Sequence, residues 1–347
     1  MPFGLQIREE IPLAPFTTFG IGGAARYFAE AETEENIAHA VIWARERGLP
    51  LFVLGGGSNL LVRDEGFPGL VLKVAVMGVE AQGGNLFDVG AGEVWDRFVQ
   101  TMMCAGMAGV ECLAGIPGSV GGTPVQNAGA YGQEVAETIE SVRALDRETL
   151  EWVELDKAAC RFRYRESLFN KDQPRRYIVA RVRFRLRPMG EPNLRYADLQ
   201  RRFAGRQDVT LIEVAMAVRE IRREKGMLLV EGEADCRSAG SFFKNPIVPT
   251  ERLAGIAIAA GLEESKVPHW PAGEGTMKIP AAWLLEQAGF VKGYGVGPAR
   301  ISSRHTLALT NRGGATFADV ERLQDEIVRG VSERFGVTLE REPVLVG

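Results

Sequence analysis

Eighteen consecutive residues, Gly115-Ile-Pro-Gly118-Ser119-Val-Gly121-Gly122-Thr123-Pro-Val-Gln126-Asn127-Ala-Gly129-Ala-Tyr131-Gly132, carry six glycines. Each glycine in a helix or strand interior costs about 0.5–1 kcal/mol relative to alanine, so this stretch is a loop whose backbone approaches something closely. Between the glycines, Ser119, Thr123, Gln126, Asn127 and Tyr131 offer hydroxyl and amide groups to a large flat ligand. A second loop, Gly55-Gly56-Gly57-Ser58-Asn59, follows an apolar run that ends at Leu54. Three residues without side chains let successive amide N–H groups converge on an anion, and Ser58 and Asn59 add donors. Glycine makes up about 12% of the chain, 41 of 347 residues, against a usual level of about 7%. Twelve of the 41 fall in these two loops and in Gly20–Gly23. Two phosphate-friendly loops in the first half of the chain predict a cofactor with a diphosphate and a planar ring, and a flavin nucleotide fits.

Other motifs are narrower than they look. Gly20-Ile-Gly22-Gly-Ala-Ala25 satisfies a dinucleotide fingerprint, but that fingerprint needs a strand before it and a helix after it. Here prolines precede and a strand pattern follows, so it reads as a glycine turn entering a sheet. No Gly-Lys dipeptide exists, which excludes a Walker A loop. Gly240-Ser241-Phe-Phe-Lys244-Asn245-Pro246 contains Ser-x-x-Lys without the companion motifs of the penicillin-recognising enzymes. Pro246 also disfavours a helix there, leaving a partly enclosed polar site. Arg181, Arg183, Arg185 and Arg187 alternate with Val182, Phe184 and Leu186, the pattern of a strand with a solvated outer face. Glu340 and Glu342 share a strand face and could act as an acid/base pair.

A net charge of −4 and a pI near 5.7 give no general attraction to nucleic acid or anionic membrane. The four scattered cysteines form no Cys-x-x-Cys, and the three histidines begin no His-Glu-x-x-His, so no metal site is expected. Acids in the first ten residues and the lack of a long apolar run predict a cytoplasmic chain with no membrane insertion.

Strand patterns at 25–29, 50–54, 60–62, 70–76, 86–91, 139–155 and 177–187 mix with helical patterns at 34–47, 93–107, 211–221, 250–261, 280–289 and 317–335. Thr33 is the expected N-cap of the first helix and Gly48 its stop. Further strands are expected at 306–310 and 337–346, and a glycine- and acid-rich loop at 226–240. There is no regular βα repeat, so the fold class is α+β in several lobes. At this length two or three domains are expected.

Taken together, several segments resemble the UDP-N-acetylenolpyruvoylglucosamine reductase (UDP-N-acetylmuramate dehydrogenase) family, flavoenzymes of bacterial peptidoglycan synthesis. They are Thr18–Gly23, Leu54–Leu60, Gly115–Gln133, Tyr164–Phe169, Gly240–Pro246 and the run from Lys278 through Glu286 to Lys292. Tyr196-Ala-Asp-Leu matches the longer of the family's two types. The resemblance implies an FAD-binding pair of lobes of the vanillyl-alcohol-oxidase kind, 1–75 with 336–347 and 76–218, plus a C-terminal α+β substrate domain, 219–335. It implies non-covalent FAD held by Gly55, Gly56, Gly57, Ser58, Asn59, Ile116, Gly118, Ser119 and Gly122 and lined by Asn127, Gly129 and Tyr131. NADPH would be the co-substrate. Arg165 would face the enolpyruvyl carboxylate, Ser241 would give the proton, and Glu342 would assist, with Glu340 as its rival. Tyr196, Lys225, Asn245, Trp270 and Lys292 would hold the UDP-sugar. The chain departs from the family where Gly226-Met227 replaces an expected Leu-Pro, where Trp270 stands for a more usual Tyr, and where Pro343 follows Glu342. The competing class is an oxidase of the same fold with tethered flavin, although His39, the only histidine before residue 269, lies on a helix away from the glycine loops. A non-catalytic flavin or nucleotide sensor is a third reading.

Overall fold

The computed structural model describes residues 4–347, and the chain divides into two compact units. The first comprises the residues up to Ile11 with Ala25–Gly57 and Phe67–Arg223; the second comprises Pro12–Ala24, Ser58–Gly66 and Glu224–Gly347.

Within the first unit, four strands form a sheet in the order Ile7–Pro12, Ala24–Ala31, Phe67–Val74, Leu51–Leu54. Phe67–Val74 runs parallel to both Ala24–Ala31 and Leu51–Leu54. The helix Glu34–Glu46 forms where the sequence predicts it. Thr33 accepts the Asn36 amide at 3.2 Å as its N-cap, and Ile37, Ala40, Val41 and Ala44 are its buried stripe. Gly48 then takes φ +61°, the left-handed conformation that ends the helix. A second, antiparallel sheet has the order Trp152–Asp156, Ile139–Asp146, Tyr177–Arg185, Leu86–Gly90, Val79–Gly83. Its alternation is as expected: Val182 and Phe184 are fully buried, while Arg181, Arg183 and Arg185 pair with Glu80, Asp88 and Glu140. Trp95 and Phe98 of the helix Trp95–Cys104 stack on Phe184 with ring centroids 6.0 and 5.0 Å away. Each such buried aromatic contributes roughly 1.5–3 kcal/mol.

In the second unit the helices Arg252–Ala260, Ala281–Gln287 and Phe317–Phe335 accompany a small sheet ordered Ile247–Pro249, Thr276–Lys278, Trp270–Gly273. Two further strands, Ala299–Ile301 and Leu309–Asn311, form a hairpin. The strand Val344–Val346 runs parallel to Leu60–Val62. Asp64 accepts the amides of Phe317 and Ala318, reinforcing Thr316 as the cap of the longest helix. The Gly22–Gly23 turn is a packing feature: a Cβ at Gly23 would lie 2.1 Å from the Asp64 carbonyl oxygen, and one at Gly22 2.4 Å from Val62 Cβ. A strand, Ala24–Ala31, follows it, as the sequence predicts. Among the described residues no helix is long and apolar enough to cross a membrane.

The predicted strand at 306–310 begins later, at Leu309, because Ser302 to Ala308 form a turn closed by the Ser302 amide, which donates to the Ala308 carbonyl at 2.8 Å. The predicted last strand, 337–346, is regular only at Val344–Val346. The small sheet between Ile247 and Lys278 and the short helix Ala197–Arg202 carry too few residues for a periodic signal.

Candidate active site

In the first unit the two glycine loops touch. A Cβ on Gly56 would sit 2.5 Å from the Gly118 Cα and carbonyl carbon, and one on Gly55 2.8 Å from Ser119 Oγ. Gly56, which meets backbone, is therefore required by the neighbouring loop, Gly55 lies against the Ser119 hydroxyl, and Gly57 takes φ +65°. The 115–122 segment is pinned from behind. Trp95 donates to the Gly118 carbonyl at 3.1 Å, and the amides of Val120 and Gly121 donate to Glu93 and Ala91 at 2.9 Å. Ile116 packs against the core, and Gly122 closes a turn on the Ser119 carbonyl at 3.0 Å. The front is unsatisfied: Ser119 Oγ is buried without a hydrogen-bond partner, and the amides of Gly56 and Gly57 have none among the described residues. A buried orphan hydroxyl costs about 1–3 kcal/mol unless a partner arrives. Two free amides beside it form an anion nest, so these residues fit a dinucleotide diphosphate.

The rest of the loop builds the seat of Arg165. The Arg165 guanidinium donates to the Gly129 carbonyl at 2.8 Å, and a Cβ on Gly129 would come within 3.3 Å of that guanidinium. Arg165 has φ +58° in a turn closed by reciprocal Arg163–Glu166 backbone bonds and braced by Arg163–Asp172 and Lys171–Glu166 ion pairs. Asn127 is almost fully buried, and its side chain bonds Glu134, the Arg163 carbonyl and the Ala136 amide. It fastens the loop to the arginine turn. Tyr131 meets Tyr196 edge-on at 5.2 Å, and burial pushes its hydroxyl up to about 12 despite the opposing Arg222 charge.

Arg222 is a residue the sequence reading passes over. It is 8% exposed and donates from Nε to the Gly115 carbonyl at 2.9 Å. It also reaches Tyr131, and burial lowers its pKa. The available signal was its register: on Leu211–Glu224 it falls on the inward face with Leu211, Val214 and Val218.

The second unit holds the remaining candidates, Ser58, Asn59 and Lys225 among them. Asn59 is tied to the last strand, its carbonyl accepting the Val344 amide at 2.9 Å, and the Ser58 carbonyl accepts from Thr18 Oγ1 at 3.4 Å. Ser241 is half-buried, between Gly240 at φ +76° and the buried Phe242 and Phe243. The Phe242 carbonyl accepts the Glu342 amide at 2.9 Å, and the Glu340 carbonyl accepts the Lys244 amide at 2.9 Å. This pairing brings the Ser241 segment beside both acids. Glu340 is 76% exposed and salt-bridged to Lys244 at 3.5 Å, whereas Glu342 is half-buried. Asn245 Oδ1 caps the helix Ala281–Gln287 through the Ala281 amide, leaving its NH2 group for a ligand. Trp270 is 52% exposed and lies in register with Lys278, which faces Ile247 on the other side.

Lys225 and the exposed Lys292 both act on His305, a second residue that sequence reasoning missed. Burial, then Lys225, then Lys292 push His305 down to about 4, opposed by Glu286, which accepts from Thr306 at 2.6 Å.

Residues 25–155 match a family described as an FAD binding domain, and residues 232–346 match the C-terminal domain of UDP-N-acetylenolpyruvoylglucosamine reductase. The cradle and these two matches define an FAD-dependent oxidoreductase. A UDP-N-acetylenolpyruvoylglucosamine reductase of Streptomyces coelicolor is 49% identical over 99% of this chain and 91% of that one. One of Pseudomonas aeruginosa is 41% identical over 98% and 99%. The crystal structure of the enzyme of that name from Thermus caldophilus superposes with a TM-score of 0.69 at 28% identity, covering 99% of this chain and all of the other. The chain belongs to the UDP-N-acetylenolpyruvoylglucosamine reductase family.

Proposed function

We propose that this chain reduces the enolpyruvyl group of UDP-N-acetylglucosamine enolpyruvate to UDP-N-acetylmuramate, a cytoplasmic step of peptidoglycan precursor synthesis, with NADPH as reductant. The observation that carries the reading is the pinned glycine cradle with its orphan Ser119 hydroxyl and two free amides, in a chain that also supplies Arg165, Ser241 and Glu342. Bound FAD, held non-covalently by Gly55–Asn59 and Ile116–Gly122, supplies hydride transfer from NADPH to the enolpyruvyl carbon. Every other duty falls to side chains. Arg165, its guanidinium oriented by the Gly129 carbonyl, stabilises the charge that grows on the substrate carboxylate. Ser241 Oγ gives its proton to the carbon beside that carboxylate, and Glu342 assists as a neutral acid donating a hydrogen bond. Glu342 is preferred over Glu340, which is exposed and turned to Lys244 in an ion pair. Asn127 acts by fixing the loop and the arginine turn. Tyr196, Lys225, Asn245, Trp270 and Lys292 hold the UDP-sugar, with Lys225 and Lys292 at the diphosphate. The FAD-binding lobes are 1–75 with 336–347 and 76–218, and the substrate domain is 219–335; by packing, however, 12–24 and 58–66 group with 224–347, and the pairing of Val344–Val346 with Leu60–Val62 lies within that unit.

Anaerobic NADPH is expected to bleach the flavin, and the enolpyruvyl UDP-sugar to restore its colour stoichiometrically. Restoration only by oxygen would favour the tethered-flavin oxidase, and no bleaching at all a sensor.

The lysine pair makes a separate expectation. A diphosphate between Lys225 and Lys292 would offset their repulsion of the His305 proton and raise its pKa from about 4. The imidazole resonance of His305, titrated by NMR with and without UDP, reads this directly. A value unmoved by saturating UDP would remove the diphosphate from these lysines.

A further inference from the structure

The 226–240 segment, expected as a loop, is fastened at its middle by a buried carboxylate. Asp235 is 5% exposed, and its oxygens accept the Ser303 amide at 2.9 Å, the Ser303 hydroxyl at 2.6 Å and Arg312 Nη1 at 3.1 Å. Arg304 stands 3.8 Å away and also pairs with Glu233 at 2.7 Å. Burial alone would raise the Asp235 pKa, but the serine hydrogen bonds and the Arg312 charge outweigh it and hold the group below the ordinary range. A charge this buried is tolerated because each oxygen is matched, and removing one partner would be expensive.

The fastening continues toward Ser241. The Arg237 carbonyl accepts the Asn311 amide at 2.9 Å, the Ser238 carbonyl accepts Thr18 Oγ1 at 2.6 Å, and Ser238 Oγ accepts the Gly240 amide at 3.3 Å. Phe242, beyond Ser241, donates its amide to the Leu307 carbonyl at 2.7 Å. Ser241 is thus suspended between anchors that lead to Ser302–Arg312. Upstream, Gly226 stands where the family resemblance predicts leucine. It has φ +65°, and a Cβ there would lie 3.0 Å from Asp235 Cβ, so the departure after Lys225 makes room for the buried carboxylate.

We propose that Asp235 is a positioning residue for Ser241: its carboxylate, gripped by Ser303 and Arg312, locks the 226–240 segment to the Ala299–Asn311 hairpin and so fixes the Ser241 hydroxyl. The inference rests on the reading of Ser241 as proton donor. A displacement of about 1 Å at a reacting group costs up to about 100-fold in rate.

The test measures the two half-reactions of the FAD-loaded enzyme by stopped-flow absorbance. Asp235→Asn is expected to keep the rate of flavin reduction by NADPH and to slow reoxidation by the enolpyruvyl UDP-sugar about 10- to 100-fold. In a Ser241→Ala background the same substitution is expected to slow reoxidation no further, because the group it positions is gone. Ser303→Ala, which removes one bond and keeps the Arg312 pair, is a milder variant expected to lose a smaller factor in the same step. A purely structural Asp235 would slow both half-reactions, or slow reoxidation equally with and without Ser241; either result overturns the proposal, as does unchanged reoxidation in Asp235→Asn and Ser303→Ala. Wild-type reoxidation in Ser241→Ala alone would overturn the proton-donor reading, and with it the proposal, and is recognisable as a separate failure.

Discussion

Ser241→Ala is expected to leave the flavin fully reducible by NADPH and to slow its reoxidation by substrate by about 100- to 10,000-fold, the usual worth of general acid catalysis. The substitution removes one oxygen from a half-buried side chain and touches neither the buried Phe242 and Phe243 nor the backbone bonds to Leu307 and Glu342. Folding and FAD content should therefore be unchanged, which confines the loss to proton delivery. Stopped-flow traces at the flavin absorbance, with NADPH and then with the enolpyruvyl UDP-sugar, separate the two steps. Reoxidation at the wild-type rate would sink the assignment.

Gly56→Ala is expected to damage the cofactor site without altering any group that touches substrate. Its Cβ would lie 2.5 Å from the Gly118 Cα and carbonyl carbon, where carbon atoms need about 3.5 Å. Both sides of the clash are backbone, and the 115–122 loop is held from behind by Trp95, Ala91 and Glu93, so no side chain can rotate away. Overpacking of this kind costs about 1–3 kcal/mol, which taken out of binding weakens FAD retention about 5- to 150-fold. Flavin fluorescence on titration of the apoprotein gives the affinity, with Gly255→Ala, whose Cβ meets nothing within 4 Å, as the control. An unchanged affinity for Gly56→Ala would show that the contact between the loops is dispensable.

Much of the fold was legible wherever the signal was local. The helix Glu34–Glu46 announced its cap at Thr33 and its stripe at Ile37, Ala40, Val41 and Ala44. The arginine-rich strand announced its two faces, since alternation needs no knowledge of the neighbours. The glycine loops were legible as loops, but Gly55 and Gly56 carry a second constraint, contact with Gly118 and Ser119, set by residues more than sixty positions away. Asn127 illustrates the same limit. Its amide looked free for a ligand, yet Glu134 and Arg163 occupy it. Arg222, His305 and Asp235 went unread because each owes its environment to burial beside distant segments. Single charged residues in a loop or on a helix announce nothing of this kind.

The joining of Leu60–Val62 to Val344–Val346 also bears on the order in which the chain is made. Residues 12–24 and 58–66 belong to a compact unit whose other members begin only at Glu224. During synthesis those early segments must wait, exposing apolar side chains such as Phe19, Ile21 and Leu61, until their partners from Glu224 to Val346 have been made. Closing loops of that length is entropically slow, and unpaired strand edges invite association in the meantime. This unit therefore completes itself only once Val344–Val346 has been made, and its early segments are the part of the molecule with most to gain from a chaperone.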